Sequence, residues 1–250
     1  MKRALLHGFL GDASVWDGVF GMREGNACAD AIALPGHRGG TSVRPTWADN
    51  LDAVAERVRD CDVAIGYSLG ARVALGLLAI GAVPRVVLIS VNPGIDDGWG
   101  RDAGGRDTGA RDADERDTGE RDARRAHDRV WATRFRREPL ADVLDAWEAQ
   151  PLFATQARVA PDILAARRER RLALDPQQIA RSLEAMGLAE MPDYRAVVDA
   201  RCTLIAGADD AKYLAIARSL NAPVHVIDHC GHDPLLEQPA ALAKVLASIA

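Results

Sequence analysis

The most constraining feature of the sequence is a Gly-x-Ser-x-Gly pentapeptide between a short apolar run and a helical pattern. The pentapeptide spans residues 66–70, directly after the apolar run 61–65 and directly before the helical pattern 71–80. Glycines on both sides of Ser68 allow a sharp backbone turn and keep bulky side chains away. A strand, a tight turn and a helix in this order predict a nucleophilic serine at the carboxyl end of the strand.

Apolar runs of strand length alternate with helical patterns on both sides of this motif. Strands are expected at 4–6, 29–34, 61–65, 85–90, 202–206 and 223–227, and helices at 46–58, 71–80, 211–220 and 239–249. Alternation of this kind is typical of a parallel sheet with helices on both faces. The predicted fold class is therefore α/β.

The middle of the chain has no strand-like run. Helical patterns occupy it instead, at 127–136, 140–148, 162–171 and 176–186. An α/β domain that is interrupted by an insertion explains this order most simply. We therefore predict a core formed by residues 1–97 and 196–250, with residues 98–195 inserted as a helical cap.

A tandem repeat of period five lies at the start of the predicted cap. An Arg-Asp pair recurs at positions 101, 106, 111, 116 and 121. The period matches neither a helix nor a strand, and the repeats contain no apolar residue larger than alanine. Residues 99–122 are therefore predicted to be disordered, solvated and without a catalytic role, and the alternative is that they gate the pocket.

Charge and hydropathy exclude several classes of partner. The 250 residues include 31 basic and 36 acidic side chains, so no excess of positive charge is available to attract nucleic acid. No apolar window approaches the length of a membrane span, and His7, Gly8 and Asp12 end the first apolar run too early for a secretory leader. We expect a cytoplasmic protein that binds neither nucleic acid nor membranes.

The cysteines and histidines predict no metal site. The four cysteines are far apart, which is typical of reduced thiols. His225, His229 and His232 are close in sequence, but no second group of ligands accompanies them. No Gly-x-Gly-x-x-Gly follows a strand, so no cofactor is expected either.

A nucleophilic serine requires a base and an acid that orients the base. Asp210 follows the strand 202–206, and His232 follows the strand 223–227. In folds that carry a nucleophilic serine on such a strand-turn-helix motif, the three residues follow one another along the chain in the order Ser, Asp, His. Asp209 and His229 are the alternatives for the acid and the base.

Backbone amides are expected to complete the site. The amide of Leu69 directly follows the serine, and the amide of Phe9 or Leu10 lies in the turn after the first strand. Two such donors form an oxyanion hole.

The motifs together resemble the α/β-hydrolase superfamily. The resemblance rests on His7-Gly8-Phe9, Pro35-Gly36-His37, Gly66-Tyr67-Ser68-Leu69-Gly70, Asp210 and Gly231-His232. Within the superfamily the chain most resembles the MenH family, which eliminates pyruvate from a cyclohexene that bears several carboxylates. That resemblance rests on residues 6–12, Arg72, Asp128-Arg129, Trp131, Glu138-Pro139-Leu140, Trp147, residues 150–154, Lys212 and Tyr213.

The resemblance implies roles for the site residues. Ser68, with His232 and Asp210, would act as a base in a carbon–oxygen lyase of menaquinone biosynthesis. The substrate would be a small polycarboxylate, and the oxyanion hole would hold charge that develops on one of its carboxylates.

The resemblance also implies a set of substrate-binding residues. They are Arg72, Arg124, Arg168, Tyr67 and Trp147. Because Arg125 and Arg167 are direct neighbours of two of these arginines, a shift of one residue would exchange them. Trp147 fits the core of the cap equally well.

The motif Asp233-Pro234-Leu235 after His232 resembles ordinary hydrolases. A serine hydrolase that cleaves an ester, thioester or carbon–carbon bond through an acyl-enzyme is therefore the alternative function. A third hypothesis is that the protein binds a ligand without catalysing a reaction.

Overall fold

The computed structural model describes residues 1–21, 29–95 and 110–249, and omits the side chains of residues 110–118. Part of the predicted repeat, residues 99–109, lies outside the described residues. None of the described helices has both the length and the apolar character that crossing a bilayer requires.

A six-stranded parallel sheet forms the centre of the fold, as the strand pattern predicts. The strands are β1 (Arg3–Leu6), β2 (Ala29–Ile32), β3 (Val63–Tyr67), β4 (Val86–Ile89), β5 (Cys202–Gly207) and β6 (Val224–Ile227). Their order is β2-β1-β3-β4-β5-β6, and every neighbouring pair is parallel. All carboxyl ends therefore meet at one edge, where ligand sites of such sheets lie.

Helices cover both faces of this sheet and fill the interval between β4 and β5. The helices are α1 (Asp17–Phe20), α2 (Trp47–Val58), α3 (Leu69–Ala79), α4 (Ala110–Arg137), α5 (Leu140–Glu148), α6 (Pro161–Leu172), α7 (Pro176–Met186), α8 (Ala211–Ser219), α9 (Pro234–Glu237) and α10 (Pro239–Ile249). Four short 3-10 helices lie at Ala13–Trp16, Pro151–Arg158, Leu188–Glu190 and Arg195–Val197.

The side chains of the strands alternate between two cores, as the period of a strand requires. Ala4 and Leu6 of β1 belong to one core, with α2, α3 and α8, whereas Leu5 belongs to the other core, with Trp16 and Leu242. Burial on both faces explains why the central strands β3 and β4 contain no charged residue.

A third apolar cluster joins helices α4, α5 and α7. Trp131 and Phe135 of α4 pack with Leu144 and Ile179, and Leu10 from the loop after β1 belongs to the same cluster. The helices between β4 and β5 therefore pack on the loop at the carboxyl edge of the sheet. The domain boundaries at 97/98 and 195/196 stay a prediction, and the first of them lies outside the described residues.

For residues 110–122 the structure differs from the predicted disorder, because they form the first half of α4. Alanine, arginine and glutamate favour helices, and a helix needs no apolar stripe where it is solvated. The Arg121 guanidinium donates to the carbonyl oxygens of Ala189 and Met191, at 2.9 and 3.1 Å. Helix α4 thus begins within the repeat and packs through Arg121 on the segment after α7.

Candidate active site

Ser68 occupies a sharp turn between β3 and α3. Its φ of 52° and ψ of −108° lie in a region that L-residues rarely adopt. A Cβ at Gly66 would lie 2.2 Å from the Gly70 carbonyl oxygen, and a Cβ at Gly70 would lie 2.2 Å from that of Leu6. Only glycine fits either position, which is why the turn has this sequence.

The structure brings Ser68, Asp210 and His232 together. His232 Nδ1 lies 2.7 Å from Asp210 Oδ2, and His232 Nε2 lies 3.2 Å from Ser68 Oγ. Asp210 begins α8 after β5, and His232 precedes α9 after β6, so each arrives from a strand end. Both side chains are buried. With the proton on Nδ1 donated to Asp210, Nε2 is free to accept the Ser68 hydroxyl proton.

Asp209 and His229, the alternatives for the acid and the base, do not form hydrogen bonds with Ser68. Asp209 is exposed and forms an ion pair with Arg158, at 2.6 Å between Oδ2 and Nη2. His229 is exposed on the loop after β6. Neither residue makes a hydrogen bond to Ser68 or His232 within the described part of the chain.

The loop after β1 offers one amide to an oxyanion hole. The Leu10 N–H donates to His37 Nε2 at 3.2 Å and is therefore occupied, whereas Phe9 is a lining residue of the pocket. Leu69 is the first residue of α3, and its N–H has no acceptor within the helix. The hydrogen bond of the Leu10 N–H favours Phe9 as the partner of Leu69, and the role of both amides stays a prediction.

Two buried histidines hold this loop. His7 Nε2 accepts the Leu34 N–H at 3.0 Å, His37 accepts the Leu10 N–H, and the rings lie 5.0 Å apart. Burial lowers the pKa of His7 to about 4 and that of His37 to about 3. Both rings are therefore neutral at physiological pH, which the two accepted N–H bonds require.

A pocket opens above Ser68 and is enclosed by α3 and the inserted helices. Its lining includes Ser68 and His232 of the candidate triad, the candidate oxyanion residues Phe9 and Leu69, and several cationic, aromatic and apolar side chains. The polar and aromatic members are Phe9, Tyr67, Ser68, Arg72, Ser90, Asn92, Arg124, His127, Trp147, Gln150, Phe153, Arg171, Ser182, Tyr213 and His232.

Arg72 is the cation nearest in sequence to Ser68, one helical turn further along α3. Its Nη1 donates to the Met186 carbonyl oxygen at 3.0 Å, and no described carboxylate forms an ion pair with it. Burial, together with the charge of Arg124, lowers the Arg72 pKa to about 10. Arg72 thus remains a cation at neutral pH and lacks a counterion in the pocket.

Arg124 also lines the pocket, but it has a protein partner. Its Nε donates to both carboxylate oxygens of Asp128, at 3.1 and 3.0 Å. The remaining guanidinium nitrogens are free to donate elsewhere, since arginine has five N–H groups.

The third predicted arginine does not reach the pocket. Arg168 pairs with Asp145, at 2.7 Å between Nη1 and Oδ1, and donates to the Ala141 carbonyl oxygen. Arg171 lines the pocket instead, with its Nη1 2.7 Å from Glu148 Oε1. In the sequence, Arg167 is the adjacent alternative to Arg168, whereas the buried side of α6 carries both Arg167 and Arg171.

Aromatic rings form the rest of the wall. Trp147 lies 5.0 Å from the Phe9 ring and 4.9 Å from the Trp131 ring, so it lines the pocket and packs in the cap. Tyr67 lines the pocket beside Ser68, and burial raises its pKa. Tyr213, 4.4 Å from the His232 ring, was not among the predicted site residues, although the resemblance included it.

Within the described ranges, histidine, cysteine and acidic side chains form no cluster of three or more that could hold a metal ion. The groups that the site does offer for chemistry are a serine, a histidine, a carboxylate, backbone amides and guanidinium groups.

Known proteins share this sequence and fold. A model of the alpha/beta hydrolase family matches residues 4–245. The 2-succinyl-6-hydroxy-2,4-cyclohexadiene-1-carboxylate synthase of Citrobacter koseri is 35% identical, over 98% of this chain and 91% of its own. The synthase of the same name from Klebsiella pneumoniae is 34% identical, with the same coverage.

A similar fold occurs in the structure of MenH from S. aureus. It matches with a TM-score of 0.83 at 23% identity, over 99% of this chain and 92% of that one. Sequence and fold therefore agree: this chain is an enzyme that belongs to the alpha/beta hydrolase family and, within it, to the family of 2-succinyl-6-hydroxy-2,4-cyclohexadiene-1-carboxylate synthases.

Proposed function

We propose that the enzyme eliminates pyruvate from 2-succinyl-5-enolpyruvyl-6-hydroxy-3-cyclohexene-1-carboxylate to give 2-succinyl-6-hydroxy-2,4-cyclohexadiene-1-carboxylate, a step of menaquinone biosynthesis. The observation that carries the proposal is Arg72, a partly buried guanidinium without a carboxylate partner among the described residues, one helical turn from Ser68. Such a group stabilises an anionic substrate directly beside the reacting atoms.

Ser68 acts as a base in this proposal and not as a nucleophile. His232 accepts the Ser68 hydroxyl proton while Ser68 Oγ takes a proton from the substrate ring. The electron pair of the C2–H bond forms the C2=C3 double bond, the existing C3=C4 double bond shifts to C4=C5, and the C5–O bond to the enolpyruvyl group breaks. Pyruvate leaves as its enolate, which takes up a proton. General-base catalysis of this kind contributes roughly 10²–10⁴-fold to the rate.

The amides of Phe9 and Leu69 stabilise the charge that develops as the proton leaves; this charge lies on the ketone oxygen of the succinyl group and not on a carboxylate, because the ring carbon that loses the proton carries that ketone. Arg72, Arg124 and Arg171 hold the substrate carboxylates, and Tyr67 and Trp147 enclose the ring. Hydrogen bonds between charged partners contribute about 1.5–3 kcal/mol each.

A serine hydrolase is the second candidate. The structure of a thermophilic esterase from Thermogutta terrifontis matches with a TM-score of 0.73 at 21% identity, so the same fold serves an esterase. In that case Ser68 would attack a carbonyl carbon and form an acyl-enzyme. An uncompensated arginine beside the serine is unnecessary for a neutral ester, and this favours the lyase.

The test measures pyruvate release from the freshly generated substrate, coupled to lactate dehydrogenase, after subtraction of spontaneous elimination. We expect Ser68→Ala to lose about 10²–10⁴-fold in kcat. Arg72→Ala is expected to lose about 10–150-fold in kcat/KM. Arg181→Ala, which removes an exposed arginine of α7, is the control.

Release no faster than in buffer, together with turnover of activated esters that Ser68→Ala abolishes, would establish the hydrolase instead. Inactivity of the wild type toward both substrates would argue for a binding protein.

A further inference from the structure

A second cavity lies beside the catalytic pocket, between the loop after β1, helix α6 and helix α9. The two cavities share three lining residues, Phe9, Tyr67 and Arg171. These side chains therefore form the partition between them. Arg167 lines only the second cavity, which we call the rear cavity.

Two buried guanidinium groups of α6 face the rear cavity. Arg167 and Arg171 are four residues apart, which places them on the same face of the helix. The side chain of each is only 10% exposed. The Nε–H group of each is buried and has no hydrogen-bond partner among the described residues. A buried donor without an acceptor is destabilising, so its retention calls for an explanation.

The arginines of α6 outnumber the carboxylates that form ion pairs with them. Glu148 lies 2.7 Å from Arg171, 3.7 Å from Arg168 and 3.9 Å from Arg167, so one carboxylate serves three guanidinium groups. Asp145 partners only Arg168. Arg167 has one close hydrogen bond, from Nη1 to the neutral Gln156 Oε1, at 2.7 Å.

The rear cavity also contains two aspartates, and neither neutralises the arginines by contact. Asp12 accepts hydrogen bonds from the amide and the hydroxyl of Ser14. Asp233 caps α9 through the Leu236 N–H, at 3.3 Å, and forms no ion pair with a described arginine. Arg170, which is partly exposed, adds a third positive charge to the lining.

We propose that the rear cavity binds a carboxylate, which accepts hydrogen bonds from Arg167 and Arg171; this rests on the proposed function for the identity of the acid. Leu10, Val15 and Leu235 supply an apolar lining for a short carbon chain. The carboxylate belongs either to a distal arm of the bound substrate or to a free small acid such as released pyruvate. Both present the same group to the same two arginines.

Isothermal titration calorimetry with succinate and with pyruvate tests the proposal without any turnover. We expect Arg167→Gln to weaken binding of the acid about 10-fold or more. Arg181→Gln, which removes the same charge from the exposed side of α7, is expected to bind as the wild type does. Arg72→Ala alters only the catalytic pocket and is expected to retain the interaction.

Two results would overturn the proposal. One is loss of binding in Arg72→Ala with full binding in Arg167→Gln, which would place the acid in the catalytic pocket. The other is no heat with the wild type for either acid. If Arg167→Gln fails to fold, Arg167→Lys takes its place. Lysine preserves the charge but cannot donate two parallel hydrogen bonds to a carboxylate. An unchanged affinity of Arg167→Lys for the acid would then contradict the proposal.

Kinetics then separates the two sources of the carboxylate. A raised KM with unchanged kcat in Arg167→Gln assigns the cavity to the substrate arm, whereas an unchanged KM with weaker inhibition by pyruvate assigns it to the free acid. If the enzyme releases no pyruvate but succinate binding still depends on Arg167, the proposed function fails and the carboxylate site stands.

Discussion

At the scale of single residues, whether a side chain lies at the candidate site is easy to predict when it follows a strand and hard to predict when it lies within a helix. Ser68, Asp210 and His232 each follow a strand of a parallel sheet, so the sequence alone indicates that they share an edge. Arg168 and Arg171 both lie on α6, and which of them faces the pocket depends on how that helix packs. Helix packing depends on distant residues, so the family resemblance, which implied Arg168, could not distinguish it from Arg171.

The Asp210 carboxylate is expected to fix the tautomer of His232. In Asp210→Asn the amide can donate to Nδ1, which moves the ring proton to Nε2 and blocks its role as acceptor. We predict a loss of roughly 10²–10⁴-fold in kcat for pyruvate release with an unchanged circular dichroism spectrum. A kcat within twofold of the wild type would exclude Asp210 from the mechanism.

The two arginines of α6 are expected to differ in their effect on substrate affinity. Arg171→Ala removes a pocket cation and is predicted to raise KM about 10-fold or more. Arg168→Ala removes a group that pairs with Asp145 outside the pocket and is predicted to have a smaller effect. Steady-state kinetics of both variants decides this, and the reverse order would restore the prediction made from sequence.

At the scale of elements, the loop after β1 depends on His7 and His37 remaining neutral. Both have folded-state pKa values, about 4 and about 3, below the ordinary histidine value of 6.5. Below pH 6.5 the unfolded chain therefore binds more protons than the folded one. The free energy of unfolding should fall as pH drops from 6.5 toward these values, by up to about 1.4 kcal/mol per pH unit for each ring.

Urea denaturation between pH 7 and pH 5 measures this slope. The variant His37→Gln keeps an acceptor for the Leu10 N–H but cannot titrate. Its free energy of unfolding should therefore change less steeply with pH, by up to the effect of one bound proton, about 1.4 kcal/mol per pH unit. An identical slope in His37→Gln and the wild type would show that His37 is not held neutral by the fold.

Regular elements were predictable because their patterns are local. The six strands and the helices that cover the sheet follow apolar runs and periodicities in the sequence. The start of α4 at Ala110 did not follow from any pattern, since a solvated helix shows no apolar face. Arg121 of α4 donates to backbone carbonyl oxygens, which every residue has, so this contact could not be predicted from the sequence.

At the scale of the whole molecule, the cluster between α4, α5 and α7 is expected to unfold together with the sheet. Phe135 is 1% exposed, and truncation of such a ring to alanine costs about 3–5 kcal/mol. We predict that Phe135→Ala lowers Tm by roughly 10 °C and preserves a single calorimetric transition. Two separate transitions would show that the inserted helices form an independent unit.

Phe9 contributes its ring and its amide to different parts of the enzyme. The ring packs on Trp147 of α5 and Phe135 of α4. The amide lies in the loop after β1 and is the predicted partner of the Leu69 amide in the oxyanion hole. Anyone who grafts a foreign cap onto this sheet to change its substrate range will therefore also perturb the dipole beside the serine. If the predicted oxyanion role of Phe9 holds, a change of cap will alter turnover together with substrate range, so a useful chimera must provide a complementary surface for the Phe9 ring.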